Sequence, residues 1–390
     1  MSTPPRSNDL YLTEELLSAQ ERDVRDRVRR FCDEEVRPVI NGYWERAEFP
    51  FPLLPKLAEL GVCGGTIEGH GCPGLTHLGS GLVAMELARG DGSISTFHGV
   101  QSGLAMNTIA LLGSEGQKQR FLPPLARLEA IGAFALTEPD HGSDAVALET
   151  RVRNLGDGYV IDGEKRWIGN AVFADYTVVW ARDAQDEVGA YVVEKSTPGF
   201  EARLITGKIA KRASWQADVT LTDVRVPAEN KLAGAHSFDD AARVLTTARP
   251  NIAWGALGHA LAAYDAAVAY TSERESFGGP IAGLQLVQYR LAKMLADLTA
   301  MRLVCLRLAE LGAAGAVTAP MASMAKMHNA EHARRVVAEA RDLLGGNGIL
   351  LENEVGRHLG DVEVVSTVEG TDAVHALIVG REITGLSAFS

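Results

Sequence analysis

The sequence predicts an α+β protein of three domains: an N-terminal helical domain at residues 10–131, a middle antiparallel β domain at 132–238 and a C-terminal four-helix bundle at 239–390. Three observations support this prediction. The chain has 390 residues, which is more than one core usually serves. Its pattern changes from helical to strand-like near residue 132 and back near residue 239. Helices and strands are therefore segregated, which excludes the alternating order of a doubly wound parallel sheet.

The N-terminal domain is predicted to be mostly helical. Its first helix is expected to start at a cap on Thr13 and to end before Pro38, because four apolar residues between them recur at roughly helical spacing: Leu17, Val24, Val28 and Phe31. The stretches GLVAMELARG and IALLGSEGQKQRFLPPL continue this helical pattern.

The middle domain is predicted from short runs rich in Val, Thr and Tyr and bounded by turn residues: YTVVWAR, GAYVVEK and DVTLTDVRVP. Asp-Gly pairs at 157–158 and 162–163 predict two tight turns. Val219, Leu221 and Val224 indicate one buried face on the last strand.

The C-terminal domain is predicted to be a helical bundle. An apolar stripe from Leu284 to Cys305 indicates one long helix. Thr318 predicts the start of the next helix, with Pro320 in its first turn and Gly345–Gly346 at its end. Ala and Gly are dense in NIAWGALGHALAAYDAAVAY, which permits close helix packing.

Composition argues against several classes of function. Lys plus Arg number 38 and Asp plus Glu number 50, so the formal charge is −12 and nucleic acid is disfavoured. No apolar stretch reaches the ~18 residues that span a bilayer. The start MSTPPRSNDLY lacks a signal pattern and the end LSAFS is not a peroxisomal address, so we expect a cytoplasmic protein.

Metal and disulfide chemistry are also not expected. The four cysteines contain no C-x-x-C pair and are expected to be reduced: Cys32, Cys63, Cys72 and Cys305. The histidines show no metal-ligand spacing.

Two segments at the start of the β domain have a functional and a plain interpretation. In FALTEPDHGSDA, residues 134–145, Thr137 and Ser143 lie on a glycine-containing loop that could approach a flat polar ring, or that simply faces solvent. In EKRWIGN, residues 164–170, Trp167 is either a ring-stacking wall or a buried strand residue.

Two segments near the C-terminal helices are similarly ambiguous. In RESFGGPI, residues 274–281, the Arg274 guanidinium could bind a phosphate or could simply end a helix. In LLGGNGI, residues 343–349, the glycines could serve a ligand or could only stop a helix. No G-x-G-x-x-G or P-loop pattern follows a predicted strand.

Glu369 lies in VVSTVEGTDAVHALIVGRE, residues 364–382, where three valines precede it and Gly370 follows. A carboxylate in apolar surroundings needs either a buried partner or a catalytic role.

In this order, the segments resemble the acyl-CoA dehydrogenase family of flavoproteins, from about residue 15 to the end of the chain. LTEPDHGSD is similar to the first flavin-domain signature of that family, and RDLLGGNGI followed by STVEGTDAVHALIVGREITG to its C-terminal signature. AWGALG, LLGGNGI and HALIVGREITG look like the glutaryl-CoA dehydrogenase branch. YWERAEFPF, GHGCPGL and KRWIGN look like the plant short-chain acyl-CoA oxidase branch.

The resemblance implies FAD-dependent conversion of a short-chain acyl-CoA to the trans-2-enoyl-CoA, with electrons passing to an electron-transfer flavoprotein. Glu369 would be the base that takes the α proton, and Gly370 would let the backbone approach the thioester carbonyl. Arg249 and Ser143 would lie close to the substrate. An oxidase that uses O2 and yields H2O2 is one alternative, and a decarboxylating glutaryl-CoA dehydrogenase is another. The flavin loops and Glu369 argue against a flavin-free CoA-binding protein.

Two positions depart from the family pattern. Ser95 replaces the Arg that pairs with the distal carboxylate in glutaryl enzymes, so a dicarboxylyl substrate is disfavoured. Gly169 replaces the Thr or Ser that many dehydrogenases place near flavin N5, which leaves the electron acceptor open.

The resemblance also implies a set of FAD-binding residues. The isoalloxazine ring would be held by Phe134, Leu136, Thr137, Gly142, Ser143, Trp167, Ile168 and Gly169. The neighbouring subunit would supply Arg274, Phe277 and Gln285, with Asp342, Gly345 and Gly346 near the adenine half and Thr371 at the pyrophosphate. A site shared in this way implies at least a dimer, and the family norm is a homotetramer.

Overall fold

Helices form the first part of the chain in the computed structural model, which describes residues 8–388. The first seven and last two residues, which bear on the predicted lack of a signal or address, lie outside the described residues. The helices are α1 (Ala19–Phe31), α2 (Arg37–Arg46), α3 (Leu54–Glu59), α4 (His77–Gly90), α5 (Gly92–His98), α6 (Asn107–Leu112) and α7 (Glu115–Ala126).

The first helix differs from its prediction at both ends. Ser18, rather than Thr13, caps α1: its hydroxyl accepts from the Glu21 N–H at 3.2 Å, and its own N–H donates to the Glu21 carboxylate at 2.8 Å. Thr13 instead donates to Asp9 at 2.9 Å. Helical backbone also continues past Pro38, because a wider π-helical segment, Cys32–Val36, leads into α2 and places the proline in its first turn.

A seven-stranded sheet forms the middle part, in the order β1-β4-β2-β3-β7-β6 with β5 also paired to β4. Its strands are β1 (Gly132–Ala135), β2 (Arg151–Asn154), β3 (Gly158–Gly169), β4 (Tyr176–Arg182), β5 (Val188–Glu194), β6 (Phe200–Leu204) and β7 (Gln216–Pro227). The pairing is mainly antiparallel, as predicted. β1 lies parallel to β4, because the β2–β3 hairpin separates the two strands in the chain.

Only one of the two Asp-Gly pairs forms a turn. Asp157–Gly158 connects β2 to β3, but Asp162–Gly163 lies inside β3 at a register shift. Gly163 has φ 152°, and a Cβ there would lie 2.6 Å from Thr150 Oγ1. The glycine is therefore needed for a β-bulge with close packing, which carries the same sequence signal as a turn.

Long helices form the last part, as predicted. They are α8 (Phe238–Glu273), α9 (Gln285–Ala313), α10 (Ala319–Leu343), α11 (Val355–Val365) and α12 (Asp372–Thr384), with a short hairpin, β8 (Glu275–Ser276) and β9 (Gly279–Pro280), between α8 and α9. Thr318 caps α10 by accepting from the Met321 N–H at 3.4 Å, and α10 ends just before Gly345. No helix among residues 8–388 is both long and apolar enough to cross a membrane.

Close packing between α4 and α8 joins the N-terminal helices to the bundle. A Cβ at Gly258 would lie 2.1 Å from the Met85 carbonyl oxygen, and one at Gly81 would lie 2.2 Å from the Trp254 ring nitrogen. Because of these glycines, α8 packs closely against the N-terminal helices as well as within the bundle. The candidate site lies along α8.

Candidate functional site

Glu369 lies in the short loop between α11 and α12, in a left-handed backbone conformation. Its φ is 55°, and that of Gly370 is 101°. Thr371 ends the loop by capping α12, because its hydroxyl oxygen accepts from the Val374 N–H at 3.2 Å. A left-handed conformation is costly for glutamate, so the surroundings must impose it. The carboxylate Oε2 is buried and has no hydrogen-bond partner among residues 8–388.

Two buried cations hold the backbone of this loop. Arg249 Nε, on α8, donates to the Glu369 carbonyl at 3.3 Å. Lys326 Nζ, on α10, donates to the Gly370 carbonyl at 2.9 Å and to Asp372 at 3.2 Å. The Lys326 side chain is completely buried.

The electrostatic environment suits Glu369 as a base. Burial raises its pKa to about 7, while the positive charges of Arg249, Lys326 and Lys211 partly oppose that rise. Burial lowers the pKa of neighbouring His375 to about 3, so this imidazole is neutral near pH 7. A Cβ at position 370 would lie 3.0 Å from the His375 ring, so Gly370 also leaves room for the imidazole.

The predicted flavin-ring residues come together where β1 and β3 end. Lys165, on β3, forms a buried ion pair with Glu138 at 2.8 Å and donates to the Leu136 carbonyl at 3.0 Å. The Arg166 backbone N–H donates to the Thr137 carbonyl at 2.8 Å. These bonds fix the loop after β1 beside the Trp167 end of β3.

An open, flat surface exists at this point. The Trp167 side chain is 51% exposed, with φ 64°, although an indole of this size is normally covered. Gly142 has nothing within 4 Å of its missing Cβ, and Ser143 is exposed. Phe134, Leu136 and Ile168 are buried, so only their backbones can reach a ligand there. This surface fits a planar ring system such as isoalloxazine.

Gly169 and Ser95 connect that surface to α8. A Cβ at Gly169 would lie 2.8 Å from Val100, in the π-helical segment that follows α5. Ser95, on α5, lies beside α8: its Oγ would be 3.9 Å from a Cβ at Gly255. Ser95 therefore lies beside α8, the helix that carries Arg249, and Arg249 in turn contacts the Glu369 loop.

The remaining predicted residues form a separate group near the β8–β9 hairpin. Phe277 is 92% exposed with φ 53°, and Arg274 and Gln285 are also exposed. Asp342 accepts from Arg290 at 3.5 Å and from Arg341 at 2.9 Å, while Gly345 and Gly346 are exposed. Within residues 8–388, no hydrogen bond or ion pair joins this group to the Glu369 loop. The structure therefore brings together the predicted residues as two groups rather than one.

Sequence reasoning missed Lys326, Lys211 and His375. Lys326 interrupts an Ala-rich helix face, which is a weak signal because most helical lysines are solvated. The distance along the chain from Lys326 to Gly370 hides their contact. In the described part of the chain, no group of three or more His, Cys, Asp or Glu residues could hold a metal ion.

Family models match most of the chain in three consecutive parts. They are the N-terminal domain of acyl-CoA dehydrogenase at residues 18–129, the middle domain at 133–224 and the C-terminal domain at 238–384. The fold is that of a flavin-dependent oxidoreductase acting on CH–CH bonds. The chain belongs to the acyl-CoA dehydrogenase family, whose cofactor is FAD, and the predicted family and cofactor are confirmed.

Individual relatives have different named substrates. Two structures of glutaryl-CoA dehydrogenase from Mycobacterium smegmatis are similar: one has 40% identity and a TM-score of 0.96, covering 99% of this chain and all of the other. The second, in complex with FADH2, has 38% identity and a TM-score of 0.95, covering 98% of each chain. Short-chain specific acyl-CoA dehydrogenase of Bos taurus is 33% identical, over 92% of this chain and 89% of that protein.

Proposed function

We propose that the protein oxidises a short-chain acyl-CoA to the trans-2-enoyl-CoA and passes the electrons to an electron-transfer flavoprotein. The observation that carries this proposal is the Glu369 carboxylate, whose Oε2 atom is buried without a hydrogen-bond partner among residues 8–388 and whose pKa is raised by burial to about 7. A base with that pKa is partly ionised at neutral pH and still accepts a proton readily. FAD, when bound, accepts the hydride that leaves the β carbon.

The residues of the chain divide the remaining work. Glu369 takes the α proton, and the left-handed turn at Glu369 and Gly370 exposes backbone to the thioester carbonyl. Arg249 and Ser143 lie at the substrate side. The indole of Trp167 and the backbone of residues 134–143 and 168–169 would hold the flavin ring, and the Thr371 hydroxyl, which accepts from the Val374 N–H, would still have a proton to donate to the pyrophosphate.

Buried polar groups near Ser95 and Gly255 favour a short substrate. One turn beyond Ser95 and Gly255, a Cβ at Gly92 would lie 2.7 Å from both Asp361 Oδ2 and the His259 ring. Buried polar groups therefore close the space between α5, α8 and α11, and a long apolar chain entering there would desolvate them.

Glutaryl-CoA is the second candidate substrate, because two similar structures are glutaryl-CoA dehydrogenases. Against it, the Ser95 hydroxyl carries no charge to pair with a distal carboxylate. We also propose that the protein is a cytoplasmic homotetramer with domains at 10–131, 132–238 and 239–390. An oxidase that passes electrons to O2 remains the alternative for the acceptor, because Gly169 supplies no hydroxyl group.

Anaerobic flavin bleaching tests the proposal. We expect butyryl-CoA to bleach the flavin faster than glutaryl-CoA, and an electron-transfer flavoprotein to reoxidise it faster than O2, with little H2O2. Glu369→Gln should retain FAD and acyl-CoA binding but bleach about 10²–10⁴-fold more slowly, because a positioned base is lost. Faster bleaching with glutaryl-CoA would contradict the proposed substrate, and near-normal bleaching by Glu369→Gln would place the base elsewhere.

A further inference from the structure

Adjacent carbonyl groups of the Glu369 loop are held by cations from two different helices. Arg249 on α8 donates to the carbonyl of Glu369, and Lys326 on α10 donates to the carbonyl of Gly370. Both helices belong to the packed bundle, so these donors have fixed positions relative to each other.

The Lys326 ammonium is an unusual group to bury. Its side chain is fully inaccessible, and its helix face carries buried Ala322 and Ala330 together with two buried neutral polar residues, Ser323 and Asn329. Burial lowers its pKa, which the carboxylate of Asp372 partly opposes. An apolar side chain at this position would avoid the desolvation cost. The charge is therefore useful at this position, and the contacts that it makes are with Gly370 and Asp372 on the loop and the start of α12.

The loop needs such contacts because its backbone is strained. A left-handed glutamate is energetically costly and persists only where surrounding groups enforce it. The bonds from Arg249 and Lys326 fix the two peptide groups that flank the Gly370 Cα, Glu369–Gly370 and Gly370–Thr371. They hold the turn without using either carboxylate oxygen of Glu369, so the base remains available.

We propose that Lys326 is a positioning residue for the reaction: together with Arg249 it locks the Glu369–Gly370 backbone so that the unpartnered carboxylate faces the substrate. This inference rests on the proposed function of Glu369 as the base. It assigns to Lys326 a role beyond its charge, which distinguishes it from Lys211.

Lys211 offers a matched control for charge alone. It is buried before β7 and, like Lys326, its positive charge lowers the pKa of Glu369, but it donates no hydrogen bond to the loop. The charged and titratable groups around Glu369 are Arg249 on α8, Lys326 on α10, Lys211 before β7, and Asp372 and His375 on α12.

Three variants separate position from charge: Lys326→Met, Lys326→Gln and Lys211→Met. Each removes a cation and therefore raises the pKa of Glu369, so the acid limb of the bleaching rate should move to higher pH in all three. At pH values above that limb, Lys211→Met should reach the wild-type rate. Lys326→Met should be about 10–100-fold slower, because the base is misplaced. Lys326→Gln retains a donor for the Gly370 carbonyl and should lie between them.

Amide hydrogen exchange supplies a readout that does not depend on turnover. Peptides covering residues 366–372 should exchange faster in Lys326→Met than in the wild type and Lys211→Met, with FAD content and thermal midpoint as folding controls. If Lys326→Met does not retain FAD, Lys326→Gln and Lys211→Met are compared instead. Equal high-pH rates and equal exchange in the compared variants would overturn the inference. A wild-type protein that no acyl-CoA bleaches would instead overturn the proposed function.

Discussion

At the scale of single residues, Glu369 combines two properties that oppose stability. It adopts a left-handed backbone, and its carboxylate Oε2 is buried without a hydrogen bond to any residue in the described part of the chain. Neither property helps folding, so we expect the residue to destabilise the fold in its ionised form. A carboxylate that costs stability and has a raised pKa is typical of a catalytic site.

This expectation gives a pH-dependent prediction for Glu369→Gln. The Glu369 carboxyl has a pKa of about 7 when folded and near 4.5 when unfolded. Between these values the folded state binds more protons, so wild-type stability falls as pH rises through that window and stays low above it. Glutamine never ionises. The variant should therefore be more stable than the wild type at pH 8, by about 1–3 kcal/mol, with a smaller gap at pH 5.

Thermal unfolding at the two pH values, with FAD in excess, measures this gap. Glu138→Gln is a suitable control, because the ion pair of Glu138 with Lys165 lowers the pKa of that carboxyl instead of raising it. If the stability difference between Glu369→Gln and the wild type were equal at pH 5 and pH 8, Glu369 would not be a buried base that ionises between these pH values.

At the scale of elements, the crossing of α4 over α8 fixes the position of α8, which carries Arg249 and Gly255. Gly258 is the closest point of that crossing, since its missing Cβ would lie 2.1 Å from a backbone oxygen that cannot rotate away. Gly258→Ala should force the helices apart and lower the free energy of unfolding by about 1–3 kcal/mol.

Gly255→Ala on the same helix is the matched comparison. Its Cβ would meet Ala88 at an ordinary 3.7 Å, so alanine should be tolerated or should stabilise by a few tenths of a kcal/mol to about 1 kcal/mol. Urea unfolding midpoints of the two variants test this difference. Equal midpoints would show that the crossing relaxes freely.

Local signals predicted most elements because their causes are local. The cap at Thr318 and the end of α10 before Gly345 depend on neighbouring residues and were correct. The prediction that the helix ends before Pro38 was wrong. The π segment Cys32–Val36 leads into α2 and places this proline in the first turn, where a helix tolerates it. Asp162–Gly163 was misjudged because the close contact with Thr150 comes from another strand. A turn and a bulge both require a backbone conformation that glycine adopts easily, so their sequence signals are alike.

The candidate site shows the same division between local and tertiary information. Glu369 could be singled out as the candidate base because a carboxylate among valines is visible within one short stretch. The roles of Lys326 and Lys211 depend on packing between α10, the loop after α11 and the segment before β7. No pattern within any one of these segments contains that contact, so the buried cations around the base appear only in the folded chain.

At the scale of the whole molecule, six of the fifteen predicted cofactor residues lie away from the Glu369 loop of the same chain. The hairpin and the start of α9 expose three large apolar side chains: Phe277, Leu286 and Tyr289, which are 92%, 79% and 65% exposed. Such a cluster is typical of a surface that is covered in an assembly. A neighbouring subunit that covers it would bring Arg274 and Phe277 to a cofactor held at the opposite side.

Arg274→Ala tests this arrangement. Arg274 is exposed and makes no ion pair among residues 8–388, so its removal should leave monomer stability nearly unchanged. If its guanidinium binds FAD across the subunit boundary, losing that charge-assisted bond should cost about 1.5–3 kcal/mol, or roughly a 10–150-fold weaker FAD affinity. Arg153→Ala, on exposed β2, should leave FAD affinity unchanged. Titration of apoprotein with FAD, together with size-exclusion chromatography, measures both effects, and a monomer with full FAD affinity would show that each chain builds its site alone.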